Sequence, residues 1–315
     1  MHRWRVPKMS SPELRANVTW SLNQARAIMI ATVLPLFCVF LSCAGIMLYA
    51  MAKLPHSLDT PRYLLFAWML VNDSIQLMSS VLLFMLAMFG VRLALFCCIS
   101  LIFISQASFF NSPLILATMS LERFVAIFYP LRRPAAWRAD RIWVIILAMW
   151  LLGCMSPVLE NILQDPQTLT VSSEPVLCKG HYLNATPARA LHRAINSAII
   201  FTLMTVVIIW TYIGIMVQTR KLRRAGDSAS RAQRTVLIHA AQLLLCGLAF
   251  TIPITETLIK LDSIQSRHLV IFFNYLCLVL FPRALSPLIY GFRDQTLRGQ
   301  MVKVFAANAR SKVGA

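Results

Sequence analysis

The sequence predicts an all-α membrane protein, a bundle of seven transmembrane helices with a short amphipathic helix after the last. Three observations predict it. Seven charge-poor stretches, 27–50, 64–88, 94–121, 142–163, 194–217, 236–259 and 269–290, each reach the roughly 20 residues that a helix needs to cross a hydrocarbon core. Of 315 residues 58% are hydrophobic and 13% charged, whereas soluble domains average about 25% charged, so the apolar surplus faces lipid. None of the stretches alternates with the two-residue period of a barrel strand, so the spans are helices.

Taken in order, residues 1–26 form a polar head ahead of the first span. That span is long enough to cross and is expected to stay in the mature chain, unlike a cleaved signal segment. The second span carries Asp73, the third ends at Glu122-Arg123, and the fourth opens behind Arg138 and Arg141. The fifth runs into the basic tract 218–235, the sixth stops before Lys260, and the seventh carries Arg283. Residues 27–290 therefore make one membrane domain, and residues 291–315 a tail. No internal repeat divides the chain.

The 30 Lys and Arg against 12 Asp and Glu give a net charge of +18. Nucleic acid is rejected as a partner, because the basic residues sit in short tracts between apolar runs, where they act as topology signals and meet anionic lipid. With the N-terminus outside, the inner segments 51–63, 124–141, 218–235 and 291–315 hold 17 Lys and Arg against 11 in the outer ones. That bias orients the bundle with its N-terminus extracellular. The sequon Asn17-Val18-Thr19 fits the same side as a glycosylation site. Asn72-Asp73-Ser74 lies within a span and is discarded.

Eight cysteines include no CxxC pair and no Cys/His cluster of zinc spacing, so neither a metal site nor a cofactor is expected. Most fall in apolar runs as small hydrophobes. Cys178 alone lies in an outer loop, and Cys97 and Cys98 stand at the outer mouth of the third span. A disulfide from Cys178 to one of those two would pin loop 164–193 over the bundle, on the oxidising face of the membrane.

Motifs at both ends of the bundle carry a resemblance. Met119-Ser120-Leu121-Glu122-Arg123-Phe124-Val125-Ala126-Ile127, followed by Tyr129-Pro130-Leu131-Arg132, resembles the Glu/Asp-Arg-Tyr motif of rhodopsin-like G-protein-coupled receptors. Asp73 resembles the acid of their second span, Trp150 the tryptophan of the fourth and Tyr212 the inner tyrosine of the fifth. Ser286-Pro287-Leu288-Ile289-Tyr290 resembles the Asn-Pro-x-x-Tyr motif of the seventh. The phrases "TPRYLLF", "RTVLIHAAQLLLC" and "PRALSPLIYGFRD" look most like fish odorant receptors of the 131 group. The departures are Ala44 in place of the first span's asparagine, Phe124 for the motif's tyrosine, Thr251 near Pro253 and Ser286 for asparagine.

The resemblance implies a plasma-membrane receptor that binds a small odorant in its outer half and activates a heterotrimeric G protein at its inner face. It favours Cys98, 25 residues before Arg123, as the partner of Cys178. It implies coupling and activation roles for Glu122, Arg123, Tyr212 and Tyr290. Ligand-lining candidates are Ser105, Gln106, Phe109, Phe110, Asn196, Thr255, Glu256, Phe272 and Asn274; packing or lipid contact is the bland account of the aromatics. Ser105 stands where amine receptors carry an aspartate, which disfavours an aminergic ligand.

Ionisable residues inside spans are costly and point to function. Arg283 lies seven positions before Tyr290, roughly 10 Å into the membrane. At that level the resemblance puts it opposite Asp73, where relatives often hold a sodium ion with hydroxyls such as Ser112 and Ser286. The expectation is that the Arg283 guanidinium replaces that ion; an arginine snorkelling to the inner face is the competing account. Two other classes compete for the whole chain. A transporter would show repeated halves or broken helices near the midplane, and a membrane enzyme a converging HExxH or GxSxG set. Neither pattern is present in the sequence. A non-olfactory rhodopsin-like receptor for a peptide or lipid is the nearer alternative.

Overall fold

The computed structural model describes residues 12–54, 59–129, 134–162, 176–178, 187–222 and 272–283, with residues 248, 270 and 299 besides. Five long helices dominate: α1 Pro12–Ala52, α2 Pro61–Phe89, α3 Leu95–Phe128, α4 Ile142–Ile162 and α5 Pro187–Leu222. Each contains a stretch long and apolar enough to cross a membrane, namely Arg26–Ala52, Pro61–Phe89, Leu95–Phe128, Ile142–Ile162 and Ile195–Gln218. A shorter apolar helix, Phe272–Arg283, falls within the stretch expected as the seventh span. The expected sixth span, 236–259, lies outside the described residues apart from Leu248, as do the end of the seventh and the tail apart from Gly299.

Three helices, α1, α2 and α5, outrun their apolar runs at both ends, for physical reasons. Helix formation propagates cheaply from an existing helix, and residues 13–25 contain neither Pro nor Gly, so α1 reaches back to Pro12, a residue suited to a first turn. Pro61 opens α2 in the same way. Gly90 closes α2 at φ +66°, a left-handed conformation favouring glycine, and the Val91 N–H returns to the Leu86 carbonyl at 3.0 Å. The chain then turns straight into β1, Arg92–Leu93, which pairs antiparallel with β2, Val176–Leu177.

Packing centres on α3, which lies against α2, α4 and α5, with α1 outside on α2. Phe40 and Met47 of α1, Leu65, Leu70 and Leu77 of α2, Ile115 and Leu116 of α3, Ile142 of α4 and Leu280 form the buried apolar core. The outward faces of α4 and α5 keep Trp150, Leu151, Leu203 and Trp210 exposed, as helices that face lipid do. Close approach of α3 and α4 depends on Gly153. A Cβ there would lie 3.2 Å from both the Ala107 carbonyl oxygen and the Asn111 Cβ, and small residues at such crossings let backbones approach.

Candidate functional site

The buried polar residues of α2 are Asn72, Asp73, Gln76 and Ser79, spaced so that one helix face collects them. On α3, Ser108, Asn111 and Ser112 share a face by the same rule. The two stripes meet. Asn72 Nδ2 donates to the Ser108 carbonyl at 3.0 Å and to Ser112 Oγ at 3.1 Å, and Asn111 Nδ2 donates to Asn72 Oδ1 at 3.0 Å. Ser112 Oγ stands 3.1 Å from Asp73 Oδ1 and 3.2 Å from the Ser108 carbonyl, either of which takes its single proton.

Arg283 enters this network from the Phe272–Arg283 helix. Proline at 282 lacks an amide hydrogen and crowds the preceding turn, and the backbone widens just before it into a π-helical turn, Tyr275–Leu280. Arg283 Nη1 donates to the Val279 carbonyl at 3.2 Å, and Nη2 reaches Ser112 Oγ at 3.5 Å. Its Nε lies 3.6 Å from Asp73 Oδ1. The guanidinium carbon sits 5.4 Å from the centroid of Phe109, a cation–π distance. Phe109, a candidate ligand-lining residue, thus packs against the arginine. The oxygens that a sodium ion would use, Asp73 Oδ1 and Ser112 Oγ, are engaged by N–H donors or faced by the guanidinium charge.

At one end of α3, Cys98 is bonded to Cys178, with Cα atoms 5.6 Å apart, while Cys97 is an exposed thiol. Ile102, Leu83 and Leu93 pack around the bridge. At the other end, Arg123 Nε lies 3.5 Å from Glu122 Oε2. Tyr212 is half-buried there, and its neighbour Thr211 bonds to Ser120 of α3 at 3.3 Å. One helix therefore carries the disulfide, the polar core and the acid-arginine pair.

Two further clusters lie between the core and the Cys98 end. Gln106 Nε2 donates to Glu160 Oε2 at 3.4 Å, and Asn196 Nδ2 donates to Ser156 Oγ. Ser156 and Glu160, one turn apart on α4, are both buried, so α4 links the candidates on α3 and α5. Across the bundle, Tyr275 hydrogen-bonds with Ser80 at 3.1 Å and stacks on Phe84, whose ring lies 6.3 Å from Phe272. Phe110 is buried edge-on against Phe109. Ser105 and Asn274 are half-buried. Asn17 lies on the helical backbone of α1. Thr255, Glu256, Ser286 and Tyr290 lie outside the described residues.

Sequence reasoning missed Asn72, Ser108, Asn111, Glu160 and Tyr275. Four of them were signalled as polar residues recurring at helical spacing, or as an acid, inside an apolar span.

Residues 43–290 match the family described as 7 transmembrane receptor (rhodopsin family). The chain belongs to the rhodopsin family of seven-transmembrane receptors. It is accordingly a multi-pass membrane receptor and not an enzyme. Among curated relatives, Odorant receptor 131-2 of Danio rerio is 30% identical over 186 residues, 58% of this chain and 57% of that receptor. C-X-C chemokine receptor type 2 of Canis lupus familiaris is 26% identical over 215 residues, 64% of this chain and 57% of the relative. The same receptor type of Mus musculus is 23% identical over 219 residues, 65% and 58% of the two chains. The matches thus span less than two thirds of each relative's length.

Proposed function

We propose that this receptor binds a small odorant between its helices on the Cys98 side and activates a heterotrimeric G protein at the Arg123 side. The architecture proposed is seven spans, the sixth in 236–259 and the seventh ending at Tyr290, then an amphipathic helix in 291–315. The N-terminus, residues 1–26 with a glycan on Asn17, is extracellular and the receptor works in the plasma membrane. The observation that carries the reading is the layout of α3. Its disulfide end is bonded to Cys178 beside the β1–β2 pair, its middle is tied to α2 and Arg283, and its other end presents Glu122-Arg123. A ligand that prefers one arrangement of such a packed bundle shifts the balance at the far end.

In this reading Gln106, Asn196, Phe110 and Phe272, with Ser105, Asn274, Thr255 and Glu256, line the ligand space, and Phe109 joins it to Arg283. Glu122 holds Arg123 at rest, and Tyr212, Ser286 and Tyr290 take part in the switch. The test is a panel of small water-soluble odorants on cells carrying a cyclic-AMP reporter, with Arg123→Ala as control. An odorant that activates the native receptor and not the variant supports the reading; equal responses from both sink it. Two of the relatives are C-X-C chemokine receptors, which favours as second reading a non-olfactory receptor for a peptide or lipid. Expression restricted to olfactory epithelium speaks for the odorant, and activation by peptide or lipid fractions alone for the second.

A further inference from the structure

The inner contact of α3 with α5 is built on one missing side chain. Gly214 is the only glycine in α5, and a Cβ there would lie 2.6 Å from Cε2 and 3.2 Å from Cδ2 of Phe124. The Phe124 ring is thus seated directly on the α5 backbone. It is held from two sides, stacked on Phe128 with centroids 4.2 Å apart and tilted against Trp210 at 4.8 Å. Phe124 and Phe128 are one turn apart on α3, as are Trp210 and Gly214 on α5, so a pair of rings meets a wall and a notch. Thr211, bonded to Ser120, and Ile215, fully buried, close the same contact. Phe124 is the residue after Arg123, and it stands where the family motif has a tyrosine.

We propose that Phe124 seated on Gly214 is a latch that sets the α3–α5 spacing beside Arg123 and holds this end of the receptor at rest. The proposal rests on the coupling reading above. Packed interfaces of this kind have discrete arrangements rather than a continuum. A methyl at 214 forces the ring out of its seat and biases the balance away from the latched form. A merely small residue that lets helices touch would cost stability when enlarged and would not change signalling.

The test compares the native receptor with Gly214→Ala, Phe124→Leu and the double variant, in agonist-free signalling per receptor at the cell surface. A melting temperature of the detergent-solubilised chain, which needs no G protein, is measured beside it. Gly214→Ala is expected to raise agonist-free signalling roughly threefold or more. Leucine lacks the atom nearest the new methyl, so the double variant is expected to return toward the native level and to melt non-additively. Unchanged signalling in Gly214→Ala at native surface level overturns the latch, as does a double variant no quieter than Gly214→Ala. Should Gly214→Ala fail to reach the surface, Trp210→Leu removes the latch wall without adding volume, and native-level signalling from it also overturns the proposal. Non-additive melting with every form, native included, at reporter background sinks the coupling reading and the latch with it. Additive melting alongside raised signalling sinks the latch alone.

Discussion

Arg283 holds its guanidinium 3.6 Å from the Asp73 carboxylate, with both side chains only 4% exposed. The pair joins α2 to the Phe272–Arg283 helix at the level where Ser112 of α3 touches both residues. Each charge alone would be costly at that depth, and removing one member of a buried pair costs about 3–5 kcal/mol in soluble proteins because the other is stranded. Asp73→Asn and Arg283→Gln are therefore each expected to lower the melting temperature of the solubilised receptor. The double variant should recover part of that loss, with a coupling of roughly 1 kcal/mol or more. Strict additivity would remove the pair's energetic role. Raising sodium at constant ionic strength should leave melting unchanged in the native chain, since the guanidinium already supplies the cation; sodium-dependent stabilisation would contradict that.

Arg123 and Glu122 make an ion pair at the membrane edge, the arginine part-exposed and the acid nearly buried. The exposure matters, because a partner can reach the arginine without unfolding the helix. Arg123→Ala is expected to abolish second-messenger output while surface labelling stays near the native level. Glu122→Gln should instead raise agonist-free output, since a neutral amide holds the guanidinium more weakly than a carboxylate. Normal signalling from Arg123→Ala would refute the coupling role.

The spans were legible because length and charge depletion are one-dimensional properties. The described helices cover five of the seven expected runs; α1, α2 and α5 run beyond them at both ends, α3 at its Phe128 end, and α4 matches its run to within a residue. On α2 only Asp73 was read from the sequence, although Asn72 and Gln76 recur with it at helical spacing in an apolar run and signal the same stripe. What the chain does not write down is which neighbour each face meets. Phe109 counts equally well as a pocket aromatic or a packing residue until the azimuths of α3 and the Phe272–Arg283 helix are fixed; it then lies against Arg283. The same holds for Glu160, an acid whose partner Gln106 is 54 positions away, and for Phe124, whose seat is an absence of atoms on another helix.

Gly153 sets the distance between α3 and α4 at the level of the polar core. Its missing side chain leaves the Ala107 carbonyl and Asn111 at a spacing that a methyl would tighten to 3.2 Å. Alanine asks the neighbours to give by a few tenths of an ångström, so Gly153→Ala is expected to be tolerated with a small loss of melting temperature. Gly153→Val adds a branched group that cannot swing away. It should push α4 off α3 and draw Asn111 from Asn72, costing about 1–3 kcal/mol as overpacking does. Surface labelling and melting of the two variants check the ordering. Equal stability of valine and glycine would mean the helices are not in close contact.

The bond between Cys98 and Cys178 closes a loop with a sequence separation of 80 residues, and it lies immediately behind the β1–β2 pairing. Chain-entropy arguments give such a closure at most about 4.5 kcal/mol. The true value is smaller in this receptor, because α4 and the flanking helices already restrict the loop when it is open. Cys98→Ser and Cys178→Ser are expected to lower surface level and melting temperature to the same extent, and their double variant no further, since both singles remove one bond. Cys97→Ser should leave both readouts at the native level, because its thiol is exposed and outside the bridge. Peptide mapping without reductant provides the direct check: a fragment linking Cys97 to Cys178 would reassign the bridge, and matching losses in Cys97→Ser and Cys98→Ser would say that the two thiols share it.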